Sequence, residues 1–199
     1  MAAVTPTENR PRARRVTVAA ALVAAAVAAL VVGCGGGSSG SDAAQTQERQ
    51  ALTSYVSQIE PLRLGVNKLL DGADPILGGY REHRLTSAEA QRRLTRVERR
   101  FATYMREVAA VKPVPPNMVG AQRAYVHTYR QEDVYLRALI AALPRRDWRG
   151  LPHFEPSQRR ALVAWRAKLA IQAARLHVAL PTDLEMVGRD EIAPSPSGD

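Results

Sequence analysis

A single thiol, four imidazoles and one carboxylate on an otherwise apolar stripe are the side chains best placed to do chemistry in this 199-residue chain. With one cysteine, Cys34, no intrachain disulfide can form. A disulfide-stapled miniprotein and a structural Cys-based zinc domain are both excluded. The histidines are His83, His127, His153 and His177. None has a second His four residues away or a Glu three residues before it, so one helix face cannot supply a metal pair. A nucleophile at a strand-to-helix elbow is missing, and so is a Gly-rich phosphate loop, because the glycines cluster at 35–40. The expectation is a non-enzymatic protein with no metal and no cofactor.

Binding chemistry has better candidates. Tyr125, Tyr129 and Tyr135 crowd one predicted helix, with Tyr104 on the one before it. Tyrosines of this kind place hydroxyls at a core edge, or else line a ligand cleft. His127 lies between Tyr125 and Tyr129 and could line a polar pocket. Glu132 stands on an apolar stripe, where a buried carboxylate needs a partner, most readily an Arg from another helix. Trp148 and Phe154, with Arg145, Arg146 and Arg149, make the segment 144–155 a plausible contact loop. Tyr125, His127, Glu132 and Trp148 are therefore the candidate pocket or contact residues.

The surroundings of Cys34 are more specific. Arg10, Arg12, Arg14 and Arg15 form a basic opening, and Val16 to Val32 is an uncharged run of 17 residues, mostly Ala and Val. That length is the lower limit for spanning a bilayer of about 30 Å. Val31-Val32-Gly33-Cys34 then resembles the lipobox of bacterial lipoproteins, with an aliphatic residue three before the cysteine and a small one directly before it. The resemblance covers about a sixth of the chain. It implies a diacylglyceryl thioether on Cys34, cleavage before Cys34, and a lipid anchor at the outer face of the cytoplasmic membrane. Two buried acyl chains give stable attachment where one is marginal, at about 0.8 kcal/mol per methylene. The alternative is a chance thiol behind a retained transmembrane helix at 16–32. Arg14-Arg15 only partly matches a twin-arginine signal, and ordinary Sec export is the preferred reading.

Removing residues 1–33 takes away four Arg and one Glu, which lowers the net charge from +9 to +6. An exported basic protein meets anionic lipid and acidic wall polymers before nucleic acid. Lys68, Lys112 and Lys168 are the only lysines. This Arg- and Ala-rich usage, together with the lipobox, is similar to that of small actinobacterial envelope lipoproteins, a similarity that carries no activity or site. Arg92, Arg93, Arg96, Arg99, Arg100 and Arg106 share the helix face opposite Leu94, Val97 and Phe101. That face is either ordinarily solvated or a contact for anionic lipid or wall polymer. It lacks the aromatic interleaving of a nucleic-acid surface, so no nucleic-acid partner is expected.

These residues must be positioned by helices, because no sustained period-2 alternation occurs. Leu52, Tyr55, Val56, Ile59, Leu62, Val66, Leu69 and Leu70 mark a first helix over about 45–70, with a kink or restart expected at Pro61. Gly72, Asp74-Pro75 and Gly78-Gly79 read as chain breakers. Thr86-Ser87-Ala88-Glu89 resembles a capping box, followed by Leu94, Val97, Phe101, Tyr104, Val108 and Val111 as a seam. A third helix, about 117–143, carries Met118, Ala121, Tyr125, Thr128, Glu132, Tyr135, Leu139 and Ala142, widened by Ala124, Leu136, Ile140 and Leu143. A fourth starts near Pro156 and carries Leu162, Trp165, Leu169, Ala173, Leu176 and Leu180 to Pro181.

The expected organisation is a signal peptide at 1–33, a flexible Gly/Ser tether at 34–44, an all-α four-helix up-down antiparallel bundle at 45–181, and a disordered tail at 182–199. The expected function is a membrane-anchored accessory module that binds a protein or an anionic envelope component. A small-molecule or lipid carrier, with its ligand held between the helices, is the alternative.

Overall fold

The computed structural model describes residues 39–185 and 191–197. The segment expected to be a signal peptide, Cys34 and the start of the expected tether lie outside the described residues. Four long helices form: α1 (Ser39–Asp71), α3 (Ser87–Ala110), α4 (Val119–Ala142) and α5 (Glu155–Leu176). Two short ones join them, α2 (Asp74–Arg81) and α6 (Thr182–Glu185), with single 3-10 turns at Pro116–Met118 and Leu143–Arg145. No strand occurs among the described residues. α1 packs on α3 and α5, and α4 packs on both α3 and α5, so the four long helices enclose one core.

Each boundary has a local cause. Thr86 caps α3: its hydroxyl accepts from the Glu89 N–H at 3.2 Å, and the Glu89 carboxylate accepts from the Thr86 N–H at 2.9 Å. α5 ends earlier than the sequence pattern suggested. His177 turns left-handed (φ 52°), its N–H donates to the Ala174 carbonyl, and the Val178 N–H reaches back to Ala173. Leu180 therefore lies beyond the helix. α2 was not expected at all. Pro75 sits in its first turn, where a missing N–H costs nothing, and Ile76, Leu77 and Tyr80 are buried on its inner side.

α1 also departs from expectation, in two ways. It begins at Ser39, so residues 39–44 of the supposed tether are helical. It also runs through Pro61 as one helix. Pro61 and Ser57 are both solvent-exposed, so the carbonyl that Pro61 leaves without a donor faces water.

The buried stripes follow the predicted ones closely. Leu52, Tyr55, Ile59 and Val66 of α1, Leu94, Phe101 and Val108 of α3, Tyr125, Leu136 and Leu139 of α4, and Leu162, Trp165 and Leu169 of α5 are all fully buried. Ala124, assigned to the broad side of the α4 stripe, is exposed. All six arginines of the α3 face are exposed, as their position on the wheel requires.

The end of the chain differs most from the composition-based reading. Leu184 (2% exposed), Glu191 (4%) and Ala193 (8%) are buried against the helices. Polar Pro- and Ser-rich composition predicts a loose tail, yet this tail carries a carboxylate and a backbone donor that the bundle interior takes up.

Candidate functional site

The four candidate residues separate into two places and a surface position. Tyr125 lies in the core and is filled in on all sides. Its ring stacks on Trp165 with centroids 4.3 Å apart and meets Tyr129 edge-on at 5.1 Å, and Tyr129 stacks on Phe101 at 5.6 Å. The Tyr125 and Tyr129 hydroxyls are 2.9 Å apart. The Trp165 Nε1–H donates to the Tyr55 hydroxyl at 2.8 Å, Tyr55 donates to Gln122 Oε1, and Gln122 Nε2 donates to the Val108 carbonyl at 3.1 Å. Every polar tip in this aromatic layer thus has a partner, as burial demands. Burial holds the Tyr125 and Tyr129 hydroxyls neutral by pushing their pKa values well up. This is packing, and Tyr125 is no pocket residue. His127 points the other way and is exposed, so the expected polar pocket between Tyr125 and Tyr129 does not form.

Glu132 and Trp148 do come together. Both line an open cleft of about 310 Å³ bounded by α4, the 143–154 connector, the start of α5 and the C-terminal segment. Tyr135, His153, Phe154, Glu155, Ile192 and Ser195 complete most of its wall. Glu132 is 1% exposed. Its partners are not the arginine expected from the sequence. Gln158 Nε2 on α5 donates to Oε2 at 2.9 Å, and the Ala193 N–H donates to Oε1 at 3.0 Å. Burial outweighs these two donors and lifts its pKa from 4.5 to about 7. Tyr135, half-buried beside it, donates its hydroxyl to the Pro194 carbonyl at 3.3 Å. Burial, with Glu132 and Glu155 nearby, pushes its pKa up to about 12.

The connector is fixed rather than loose. Trp148 meets Tyr80 edge-on at 6.4 Å, and Arg146, left-handed at φ 49°, lays its guanidinium 4.8 Å over the Tyr80 ring. Arg146 Nε also donates to the Tyr80 hydroxyl at 3.2 Å, while that hydroxyl donates to the Leu143 carbonyl. The unforeseen α2 therefore clamps the connector that carries Trp148.

Below the C-terminal segment lies a cluster of buried charges. Arg63 forks onto Glu60 through Nε (3.1 Å) and Nη2 (2.9 Å). Glu191 Oε1 comes within 3.9 Å of both Arg63 and Arg166. All four residues are buried. Nothing in the sequence pairs residue 191 with residue 63 or 166. The available signal was negative: Arg63 falls on the apolar side of α1 and Arg166 beside Trp165, so each needed a counter-charge from elsewhere.

Among the described residues, no three His, Cys, Asp or Glu side chains gather as metal ligands. No helix among them is long and apolar enough to cross a membrane. No protein-family model, curated protein or solved structure matched the chain.

Proposed function

We propose that this chain is an exported lipoprotein, acylated at Cys34 and held at the outer face of the cytoplasmic membrane. Its helical body is a non-enzymatic binding module for an envelope component. The anchor reading rests on the Ala/Val run ending at the chain's one cysteine. The observation that carries the binding reading is the cleft of about 310 Å³ between α4, the connector and the C-terminal segment. Sites of this kind pair mainly apolar walls with a few convergent polar groups, and this one has Glu132 and Gln158 among aromatic rings. A ligand held between the helices fits the packing less well, because Tyr125, Tyr129, Trp165 and Phe101 fill that space. The α3–α4 connection is short, and α3 packs on α4 and α4 on α5, which supports an up-down antiparallel order for the four long helices.

Two measurements test this. Mass spectrometry of membrane-extracted protein should find a chain that begins at Cys34 and carries a diacylglyceryl thioether there. A chain that keeps residues 1–33 and an unmodified thiol would overturn the lipid anchor. A photo-crosslinking residue in place of Trp148 should capture an envelope component, whereas the same residue in place of exposed His127 should not.

A further inference from the structure

The charge of the cleft is opposite to that of the chain. The protein has 28 Lys and Arg against 19 Asp and Glu, yet none of the described residues lining the cleft is Lys or Arg, and two are Glu. Its walls include Tyr135, Trp148 and Phe154, three of the chain's ten aromatic rings outside histidine. We propose that the cleft binds a small organic ammonium ion, with Glu132 as its counter-charge and Tyr135, Trp148 and Phe154 as its aromatic walls. The assignment rests on reading the cleft as the binding site, and it names the ligand class.

The chemistry runs as follows. Glu155 lies exposed at the rim, paired with Arg159 at 2.7 Å, and Glu132 is the buried carboxylate of the wall. A carboxylate has about four lone-pair positions. Gln158 and the Ala193 N–H occupy two of them, which holds the group in place and leaves acceptor capacity. Aromatic faces attract a diffuse, weakly hydrated cation through their quadrupoles, and they do so best where water is excluded. A hard metal ion would instead require more oxygen ligands than one carboxylate supplies. An anion would meet Glu132 with no facing cation among the lining residues. The volume is at the lower end for ligand sites, which suits a headgroup-sized molecule.

Calorimetric titration of the full chain at pH 8, where Glu132 is ionised, with choline, and separately with its neutral carbon isostere 3,3-dimethylbutan-1-ol, tests the assignment. Saturable choline binding at least tenfold tighter than the alcohol is expected. Glu132→Gln should weaken choline at least tenfold. Phe154→Leu, on the half-buried connector, should weaken it several-fold with an unchanged far-ultraviolet spectrum, which guards against misfolding of the first variant. Competition by phosphocholine alone would assign a free ammonium compound as ligand. Competition by phosphatidylcholine vesicles as well would assign a lipid headgroup. Equal affinity for choline and the alcohol, or no saturation up to about 100 mM choline, would overturn the proposal. If choline fails while crosslinking through residue 148 still captures an envelope component, the cleft remains the binding site and the ammonium assignment alone falls.

Discussion

Glu132 couples the cleft to pH. Its pKa is about 7 in the fold, against an ordinary 4.5. The folded state therefore holds the proton more tightly than the unfolded chain does. The associated stabilisation is complete below about pH 4.5 and is lost as pH rises through 7. From pH 5 to pH 8 this one group should remove on the order of 2–3 kcal/mol of stability. Glu132→Gln should flatten that dependence in urea titrations, although the amide nitrogen then faces a donor and sacrifices one hydrogen bond. An unchanged slope in the variant would mean that Glu132 is not the titrating group. Tyr125 shows the opposite use of a polar atom. Its hydroxyl is spent on Tyr129 inside a filled aromatic layer and is unavailable to a ligand.

Helices here are set by their ends and by close approach as much as by their stripes. Thr86→Ala removes the α3 cap and should cost about 1 kcal/mol, read as a fall in melting temperature with the spectrum unchanged. Gly65 of α1 lies against the Tyr104 side chain of α3. A Cβ there would sit 2.5 Å from the Tyr104 hydroxyl and under 3 Å from its ring. Gly65→Ala should cost about 1–3 kcal/mol by overpacking, and Tyr104→Ala in the same chain should relieve part of that penalty. Deep truncations behave differently. Phe101→Ala or Leu169→Ala, both fully buried, should each cost roughly 2–5 kcal/mol in chemical unfolding.

For the molecule as a whole, the C-terminal segment acts as a strap and not as an appendage. It supplies the Ala193 donor to Glu132, the Glu191 charge beside Arg63 and Arg166, and one wall of the cleft. Breaking a buried ion group by removing one member leaves uncompensated charge and costs about 3–5 kcal/mol. A chain ending at residue 190 should therefore melt several degrees lower and lose the cleft. Glu191→Gln should reproduce much of the thermal effect. A tail without contacts would give no shift in either protein.

The helices themselves were legible because helix formation is written in short-range spacing. The apolar positions from Leu52 to Leu70, and from Leu94 to Val108, repeat every three or four residues, and the Thr86 box lies within four. α2 was missed because Pro75 and two glycines signal a break unless the inward face of Ile76, Leu77 and Tyr80 is weighed. The proposed site was half legible. Glu132 was conspicuous as a carboxylate on an apolar stripe, and Trp148 as an aromatic on a long connector. Their partners were not, since Gln158 and Ala193 lie 26 and 61 residues away.

Local pattern alone thus determined an all-helical body and the faces its helices bury. Only the tertiary structure decided that the tail packs, that His127 faces water while Glu132 does not, and which groups neutralise the buried arginines. Burial and charge compensation depend on residues distant in sequence, and no periodicity records which of them meet.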